Sequence, residues 1–375
     1  MKHIAPKLLG CFLGLSLALG QSTAAFAAPP SKGTMGFVIR DWFTSVYNSK
    51  FNDECPDGLT PSYDEIWWRG ISREERAKIT QNGLNPPLNR LPYAMRRGPK
   101  GENVCLQPDV VKDPPMRVIE GKYSYGANID GTTDGRATAK TCKHEKFTHP
   151  DGTPGIDNQM YRLVGCIYGW RKGGLPEANA HEGRGTSGLG MILVEITGVN
   201  DKDPRNSDNV TITFHRSIDQ FALDGNGKPL PYSSYNIDTE NGKNRYGDKL
   251  KGSIKNGVLT TDRGDVRVPY YGGYGFMHPA IKNMALHMEI AEDGATATGQ
   301  VTGYYNADEF LYWVGGMVGH ATTAADCPAL HVAARQLADG YPDPKTGECT
   351  HLSTAIDIKA YSAFIIHPEQ KSASR

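Results

Sequence analysis

A series of short segments rich in β-branched residues most constrains what this chain can fold into. The segment NVTITFHRSI (209–218) alternates apolar and polar residues with the period of a half-buried strand. Similar segments occur at 191–199, 257–271, 283–292 and 295–306. The helical segments that would alternate with strands in a parallel α/β sheet are missing from this series. The pattern therefore predicts a mainly β fold, an antiparallel β-sandwich or jelly roll of the concanavalin-like kind, with short helical additions at both ends.

Helical signals flank this β region. Ser72 and Glu75 form a capping box that predicts a helix over the segment ISREERAKITQNG. Pro328, followed by an apolar stripe that ends at Gly340, predicts a second helix, and AIDIKAYSAFII (355–366) predicts a strand that returns to the sheet. The predicted segments are a signal peptide over 1–27, an irregular and helical segment over 28–115, a β-sandwich core over 116–318, and a helix with the returning strand over 319–375, in the same domain as the core.

The N-terminus has the features of a secretory signal peptide. Lys2 and Lys7 precede the apolar run LLGCFLGLSLALG, and Ala25-Phe26-Ala27 has the small residues of a cleavage site. No stretch of the sequence approaches the roughly 20 apolar residues of a membrane helix. Without the leader, acidic and basic residues nearly balance, which argues against nucleic acid or an anionic membrane as a partner. We therefore expect a secreted or periplasmic protein without a transmembrane segment.

Export changes how the cysteines are interpreted. Six cysteines remain after the leader is removed, and an even number in an oxidising compartment favours disulfides, with 15 pairings allowed. These are Cys55, Cys105, Cys142, Cys166, Cys327 and Cys349. We expect nearest-neighbour pairing, 55–105, 142–166 and 327–349, because each pair brackets one compositionally distinct segment. No Cys-x-x-Cys is present, so a redox motif or a zinc ribbon lacks support.

A cluster of Asp, Asn and Gly residues is the clearest chemical signal in the sequence. It comprises NIDGTTDG (128–135) and PDGTPGIDN (150–158), which flank Cys142. Calcium binds six to eight oxygens, usually on a loop bent by glycine. We predict a calcium-stabilised loop with the ligands Asn128, Asp130, Asp134, Asp151, Asp157 and Asn158. Neither segment fits the EF-hand pattern, and the alternative is that both are ordinary β-turns.

Two further patterns bear on function. Glu195 and Glu289 lie on predicted strands and could face each other across a cleft as a glycosidase acid pair, with His287 beside Glu289 on the same face. Aromatic residues are frequent from Tyr270 to Trp313, where they form either a ligand platform or part of the core. The segment GRGTSGLG (183–190) precedes a strand instead of opening a helix, which predicts a flexible loop and not a nucleotide site.

These signals lead to two main hypotheses from different classes, and a structural envelope protein without a small ligand is a third possibility. The first is an exported binding or recognition protein, for carbohydrate or another small or apolar ligand, with calcium as its possible cofactor. The alternative is a secreted hydrolase that acts on polysaccharide through Glu195, Glu289 and His287. An enzyme needs acidic groups that converge in a cleft, whereas a binding protein needs an aromatic surface without them.

Overall fold

The computed structural model describes residues 32–50, 53–60, 72–81, 98–104, 106–110, 116–240, 243–271, 276–277, 279–313 and 327–367. The predicted signal peptide lies outside these residues. The described chain is mainly β, and its main sheet is antiparallel apart from one short strand, which confirms the predicted fold class at that level.

The strands of the described residues are as follows, in chain order. They are β1 (Thr34–Thr44), β2 (Phe147–Thr148), β3 (Pro154–Ile156), β4 (Met191–Thr197), β5 (Ser207–Ser217), β6 (Ser233–Asn236), β7 (Thr239–Glu240), β8 (Lys243–Asn244), β9 (Lys249–Lys255), β10 (Val258–Thr261), β11 (Gly264–Arg267), β12 (Tyr270–Tyr271), β13 (Phe276–Met277), β14 (Ala280–Ile290), β15 (Thr296–Asn306), β16 (Gly340–Pro342) and β17 (Cys349–Ile366).

The helices are α1 (Arg73–Gln81), α2 (Gln159–Val164), α3 (Leu175–Ser187), α4 (Ala307–Trp313) and α5 (Cys327–Leu337), with short 3₁₀ helices over Pro108–Val110 and Tyr168–Trp170. The predicted capping box is confirmed at α1, where the Glu75 amide donates to Ser72 Oγ at 3.1 Å and the Ser72 amide donates to Glu75 Oε2 at 3.2 Å. The predicted helix after Pro328 is confirmed as α5. None of the described helices has the length and apolar character needed to cross a membrane.

Eight strands close into an antiparallel barrel. Their order around it is β1, β4, β5, β9, β10, β14, β15 and β17, and β17 pairs with β1 to complete the ring. Each strand therefore lies beside its neighbours in this chain-ordered series, as in an up-and-down barrel. The structure has this closed barrel instead of the predicted sandwich or jelly roll. The sequence did not reveal the closure, because β1 and β17 pair across more than 300 residues and alternation within a single strand carries no information about its partner.

The barrel interior is filled by the apolar side chains of alternate positions. On β14 these are Met284, Leu286, Met288 and Ile290, the face that the sequence pattern predicted. On β17 the inward-facing residues include Leu352, Ile356, Ile358 and Ala360. An eight-stranded barrel is just wide enough for side chains to fill it or to leave room for one small ligand. Any ligand space is therefore expected at an end of the barrel.

A long excursion between β1 and β4 packs on the outside of the barrel. Its own small core includes Ile119, Phe147, Ile156 and Tyr161. Asn158 joins the excursion to β17, because its Oδ1 accepts from the Ala355 amide at 3.2 Å while also capping α2. The excursion thus covers the outer face of β15 and β17 and brings its turns against the last barrel strand.

The disulfides follow this long-range packing, and the predicted nearest-neighbour pairing is wrong. Cys55 is bonded to Cys166 and Cys142 to Cys349, across 111 and 207 residues of sequence. Cys327 is also disulfide-bonded. Nearest-neighbour pairing assumes that each segment closes on itself, whereas the excursion folds back against a strand from the other end of the chain. Disulfides are compatible with the predicted export.

The segment that was expected to be a flexible loop forms the second half of α3. Gly188, which has a left-handed φ of 65°, ends this helix. Tertiary contacts explain the difference: Arg184 is buried and donates to the Arg40 carbonyl, and His181 Nε2 lies 2.7 Å from Asp41 Oδ1 on β1. These contacts stabilise a helix that its glycines alone would disfavour.

Candidate functional site

The predicted ion site contains a buried cluster of charged side chains, which we call the Lys146 cluster. It comprises Asp130, His144, Lys146, Asp157 and Asp339. The Lys146 ammonium contacts Asp157 Oδ1 and lies 2.7 Å from Asp130 Oδ1. His144 Nε2 lies 2.8 Å from Asp157 Oδ1 and 3.6 Å from Asp339 Oδ2. Each of these side chains is nearly or fully buried.

Hydrogen bonding indicates the charge on each member. His144 Nδ1 lies 2.8 Å from the Cys142 carbonyl, and Nε2 faces carboxylates, so both ring nitrogens act as donors and the imidazole is a cation. Burial acts to lower the pKa of His144, but Asp157 and Asp339 outweigh it and the pKa is raised. Burial raises the pKa of Asp339 to about 7. Two cations therefore balance Asp130 and Asp157, with Asp339 able to hold a proton.

The structure brings together only part of the predicted calcium ligand set. Asp130 and Asp157 converge, and the Asp130 amide donates to Asp157 Oδ2 at 3.3 Å. Asp134 and Asp151 are mostly exposed in turns, where Asp134 pairs with Arg136 at 3.6 Å.

The two asparagines of the set are used in local hydrogen bonds. Asn128 Oδ1 accepts from the Gly131 amide at 2.8 Å. Asn158 Oδ1 accepts from the Tyr161 and Ala355 amides, and its Nδ2 donates to Ser124 Oγ at 3.1 Å. A fully hydrogen-bonded, buried amide is a poor calcium ligand, because an ion would have to replace bonds that hold α2 to β17.

One group of described side chains has donor atoms close enough to share a cation. These atoms, from Asp130, His144 and Asp157, lie within 4.8 Å of one another. Both carboxylates of this group already contact the Lys146 ammonium, so a metal ion here would compete with a buried lysine. Calcium binding stays a prediction, and the geometry favours an internal cation in its place.

The proposed acid pair is not brought together. Glu195 is on β4 and Glu289 on β14, and three strands separate β4 from β14 in either direction around the barrel. Both point outward, since Val194 and Ile196 belong to the interior core while Glu289 and His287 are exposed. The two carboxylates therefore lie on opposite sides of a filled barrel and do not share a cleft.

Glu195 has a structural environment of its own. Its Oε2 lies 3.0 Å from His215 Nε2 and its Oε1 lies 2.7 Å from His367 Nε2. Asn244 Oδ1 accepts from the Tyr246 amide, which directs the Asn244 amide nitrogen towards His215 Nδ1 at 2.6 Å. His215 consequently accepts at Nδ1 and donates to Glu195 from Nε2. This arrangement fastens the end of β17 to β4 and β5.

A cavity of about 280 Å³ lies at one end of the barrel, and we call it the mouth cavity. It lies where β1 ends, beside the start of β14, the end of β15 and the first half of β17. Its apolar wall consists of Trp42, Met160, Trp170, Ile281, Tyr305, Phe310, Ile356 and Ile358, and Thr44 and Thr354 supply the inward-facing hydroxyls. Protein ligand sites commonly combine such apolar walls with a few polar groups and occur in the mouths of barrels.

Aromatic contacts shape the cavity. The Trp170 and Phe310 ring centroids are 5.6 Å apart with an edge-to-face arrangement, and those of Tyr305 and Phe310 are 6.2 Å apart. Trp170 comes from the 3₁₀ helix that follows α2, and Phe310 from α4. The excursion and the segment after β15 thus meet over the end of the barrel and narrow its opening.

Six charged residues also line the cavity, and three of them have well-defined partners: the six are Asp41, Arg171, Lys172, Glu177, Asp357 and Lys359. Asp41 is hydrogen-bonded to His181, and Asp357 Oδ1 accepts from Gln300 Nε2 at 3.1 Å. Arg171 donates to Glu54 Oε1 at 3.0 Å. Burial acts to raise the pKa of Asp41, but His181 and nearby arginines outweigh it and lower the pKa, so this carboxylate is charged and paired. The inward-facing strand positions of the wall, Trp42, Thr44, Thr354, Ile356 and Ile358, are therefore uncharged, and the charged lining residues are found outside these positions.

The sequence signals identified this site only in part. Tyr305 and Phe310 belong to the aromatic run that was recognised as a candidate ligand platform. Nothing in the sequence marked Trp42, Trp170 and Thr354 as site residues. They are brought to the cavity by the pairing of β1 with β17 and by the packing of the excursion against the barrel, which depend on the complete fold. Comparisons with protein-family models, with curated proteins and with solved structures found no match for this chain.

Proposed function

We propose that this protein is an exported binding protein that holds a small, predominantly apolar molecule in the mouth cavity. The observation that carries the proposal is an aromatic-lined space of about 280 Å³ at the end of an otherwise filled barrel. A core at normal packing density leaves few voids of this size, and burial of an apolar ligand there would be favourable by about 25 cal/mol per Å² of surface removed from water. The volume is at the lower end of the range for ligand pockets, which favours a small ligand.

Binding can be measured with N-phenyl-1-naphthylamine, an uncharged apolar probe whose fluorescence rises out of water. We expect saturable binding of one probe per chain, with energy transfer from tryptophan because Trp42 and Trp170 line the cavity. A dissociation constant of roughly 1–10 μM is reasonable for a ligand of this size. The mature, oxidised protein is the sample.

A cavity-filling variant shows whether the probe occupies this site. Ile356→Phe adds volume to the inner wall and should weaken binding at least tenfold, with circular dichroism confirming the fold. Thr298→Phe, on the exposed outer face of β15, is the matched control and should bind as the wild type does. Absence of saturable binding by the wild type, or equal binding by both variants, would refute the proposal.

A further inference from the structure

Thr354 is a buried hydroxyl on the inner wall of the mouth cavity. Its position in β17 lies between the core residues Leu352 and Ile356, and only 2% of its surface is exposed. Its neighbours Ser353 and Ala355 face the opposite way, where Ser353 Oγ accepts from the Gln159 amide at 3.0 Å. Strand alternation therefore directs the Thr354 side chain into the barrel, towards the cavity that it lines.

The Thr354 hydroxyl forms no hydrogen bond within the described part of the chain. Two other buried hydroxyls on the barrel strands are hydrogen-bonded: Thr261 Oγ1 accepts from the Leu286 amide at 2.9 Å, and Ser353 is bonded as described above. Thr354 Oγ1 is also not among the fully enclosed atoms that lack a partner, such as Thr60 Oγ1, so it retains access to the cavity. A buried polar group normally has a partner, and this one faces the space in which a ligand would lie.

Thr44 places a second hydroxyl on the same wall. It is on β1 opposite Ile356, which makes it a diagonal neighbour of Thr354 across the β1–β17 pair. Thr44 also forms no side-chain hydrogen bond among the described residues and lines the cavity. One side of the inward-facing wall is thus polar but uncharged, and its other strand positions are aromatic or aliphatic.

We infer that Thr354, with Thr44 beside it, is the specificity-determining group of the mouth cavity and selects an uncharged ligand that has one hydroxyl or carbonyl group on an apolar body. The inference rests on the proposed function. A ligand carboxylate or ammonium would lose its hydration without an inward-facing counter-charge, which is costly. A wholly apolar ligand would cover the two hydroxyls without bonding them.

Two compounds of the same shape test this inference: naphthalene and 2-naphthol, each titrated by its own fluorescence and by displacement of the naphthylamine probe. Thr354→Val replaces the hydroxyl by a methyl group of the same size. We expect it to weaken 2-naphthol binding about three- to tenfold while naphthalene binding changes less than twofold. Thr298→Val, on the outer face of the neighbouring strand, should leave both affinities unchanged.

The outcomes separate the inference from the proposed function. Binding of both compounds with equal effects of Thr354→Val on each would overturn the role of the hydroxyl and leave the cavity as a site. Tighter binding of 2-naphthoate than of 2-naphthol at pH 7 would overturn the assignment to an uncharged ligand. If the wild type bound neither the probe nor the two compounds, the proposed function itself would fall, and the inference with it.

Discussion

Ser353 and Thr354 are neighbours in the chain, yet they belong to two regions with opposite chemistry. Ser353 faces outward, and its amide donates to Asp339 of the Lys146 cluster at 2.7 Å. Thr354 faces inward to the mouth cavity and has no partner among the described residues. The cluster is densely charged, internally balanced and almost closed to solvent, whereas the inward-facing wall of the cavity is uncharged and the cavity is incompletely filled and open.

The contrast supports a structural role for the Lys146 cluster and the proposed binding role of the mouth cavity. Buried charges that satisfy one another hold segments in place, and here they join turns of the excursion to Asp339, the residue that precedes β16. Residual space and an unpaired polar group cost stability, so a fold retains them where something else is to be bound. We therefore propose that the Lys146 cluster supports the fold and that the wall formed by β1 and β17 in the mouth cavity is the binding site.

The largest effect is expected from removing the internal cation. Lys146→Met leaves Asp130 and Asp157 buried with one positive charge fewer, which should lower the free energy of unfolding by about 3–5 kcal/mol. Urea denaturation at pH 7 measures this loss. Lys143→Met is the matched control, because Lys143 is an exposed lysine three residues before Lys146. It should change stability by less than about 0.5 kcal/mol.

Lys146→Met also tests whether ligand binding in the mouth cavity is independent of the Lys146 cluster. The fraction of Lys146→Met protein that remains folded should bind the naphthylamine probe with wild-type affinity, since Lys146 does not line the mouth cavity. Loss of probe binding in well-folded Lys146→Met protein would show that the cluster and the cavity are coupled, and the division into support and site would be wrong.

The next prediction concerns pH. Burial raises the pKa of Asp339 to about 7, above its ordinary value of 3.8, so the folded protein binds this proton more tightly than the unfolded chain does. The stability that this proton contributes is present below about pH 4 and is lost as the pH rises to about 7 and beyond. His144, whose pKa is raised above 6.5, acts in the same direction as the pH rises through its folded-state value.

Asp339→Asn isolates this contribution, because an amide oxygen can still accept from the Ser353 amide. We expect the variant to resemble the wild type near pH 4 and to gain stability relative to it as the pH rises to 8. The urea concentration at the midpoint of unfolding, measured for the variant and the wild type between pH 4 and pH 8, tests this expectation. A difference between variant and wild type that did not vary with pH would show that Asp339 is ionised throughout.

A smaller loss is expected at Glu195, which sequence reasoning paired with Glu289. Burial acts to raise the pKa of Glu195, but the hydrogen bonds from His215 and His367 outweigh it and lower the pKa. Glu195→Gln should therefore reduce the free energy of unfolding by about 1.5–3 kcal/mol at pH 7. Glu289→Gln, on the exposed face of β14, should change it by less than about 0.5 kcal/mol.

Equal effects of the two substitutions on stability would contradict this distinction. A polysaccharide-hydrolysing activity that either substitution abolished would restore the hydrolase hypothesis, although the barrel holds the two carboxylates on opposite sides.

The sequence predicted local structure well and long-range structure poorly. Alternation identified the inner face of β14, and the capping box located α1, because both depend on residues close together in the chain. Closure of the barrel by β1 and β17, and the Cys142–Cys349 disulfide, depend on residues that are brought together only by the complete fold.

Most of the candidate site was missed for the same physical reason, although Tyr305 and Phe310 belong to the aromatic run noted in the sequence. A threonine in a strand carries no sequence signal that its hydroxyl is unpaired, and nothing in the spacing of KHEK (143–146) shows that Lys146 lies between two aspartates. The Asp-Gly turns could be recognised because each is formed by residues adjacent in the sequence. The mouth cavity could not, because it forms only where the ends of four strands come together in the fold.

A substitution in the mouth cavity should raise the free energy of unfolding, whereas substitutions in the Lys146 cluster such as Lys146→Met should lower it. Thr354→Val removes an unpaired buried hydroxyl without changing the volume, so we expect the free energy of unfolding of the unliganded protein to rise by up to about 1 kcal/mol. Saturating 2-naphthol should stabilise the wild type and reduce this difference. A substantial loss of stability in Thr354→Val would show that the hydroxyl is already used within the protein.

The smallest effect, an absence of change, is expected from calcium. If the Lys146 ammonium serves as the cation for Asp130 and Asp157, then the melting temperature of the wild type should be the same in excess calcium and in excess chelator. Lys146→Met supplies the sharper comparison, since it removes the competing ammonium and leaves the oxygens of Asp130 and Asp157 in place. Calcium that stabilised only this variant would show that lysine and metal are alternative occupants of one position. Calcium that stabilised the wild type, with metal retained through purification, would instead establish the ion site that the Asp-Gly turns predicted.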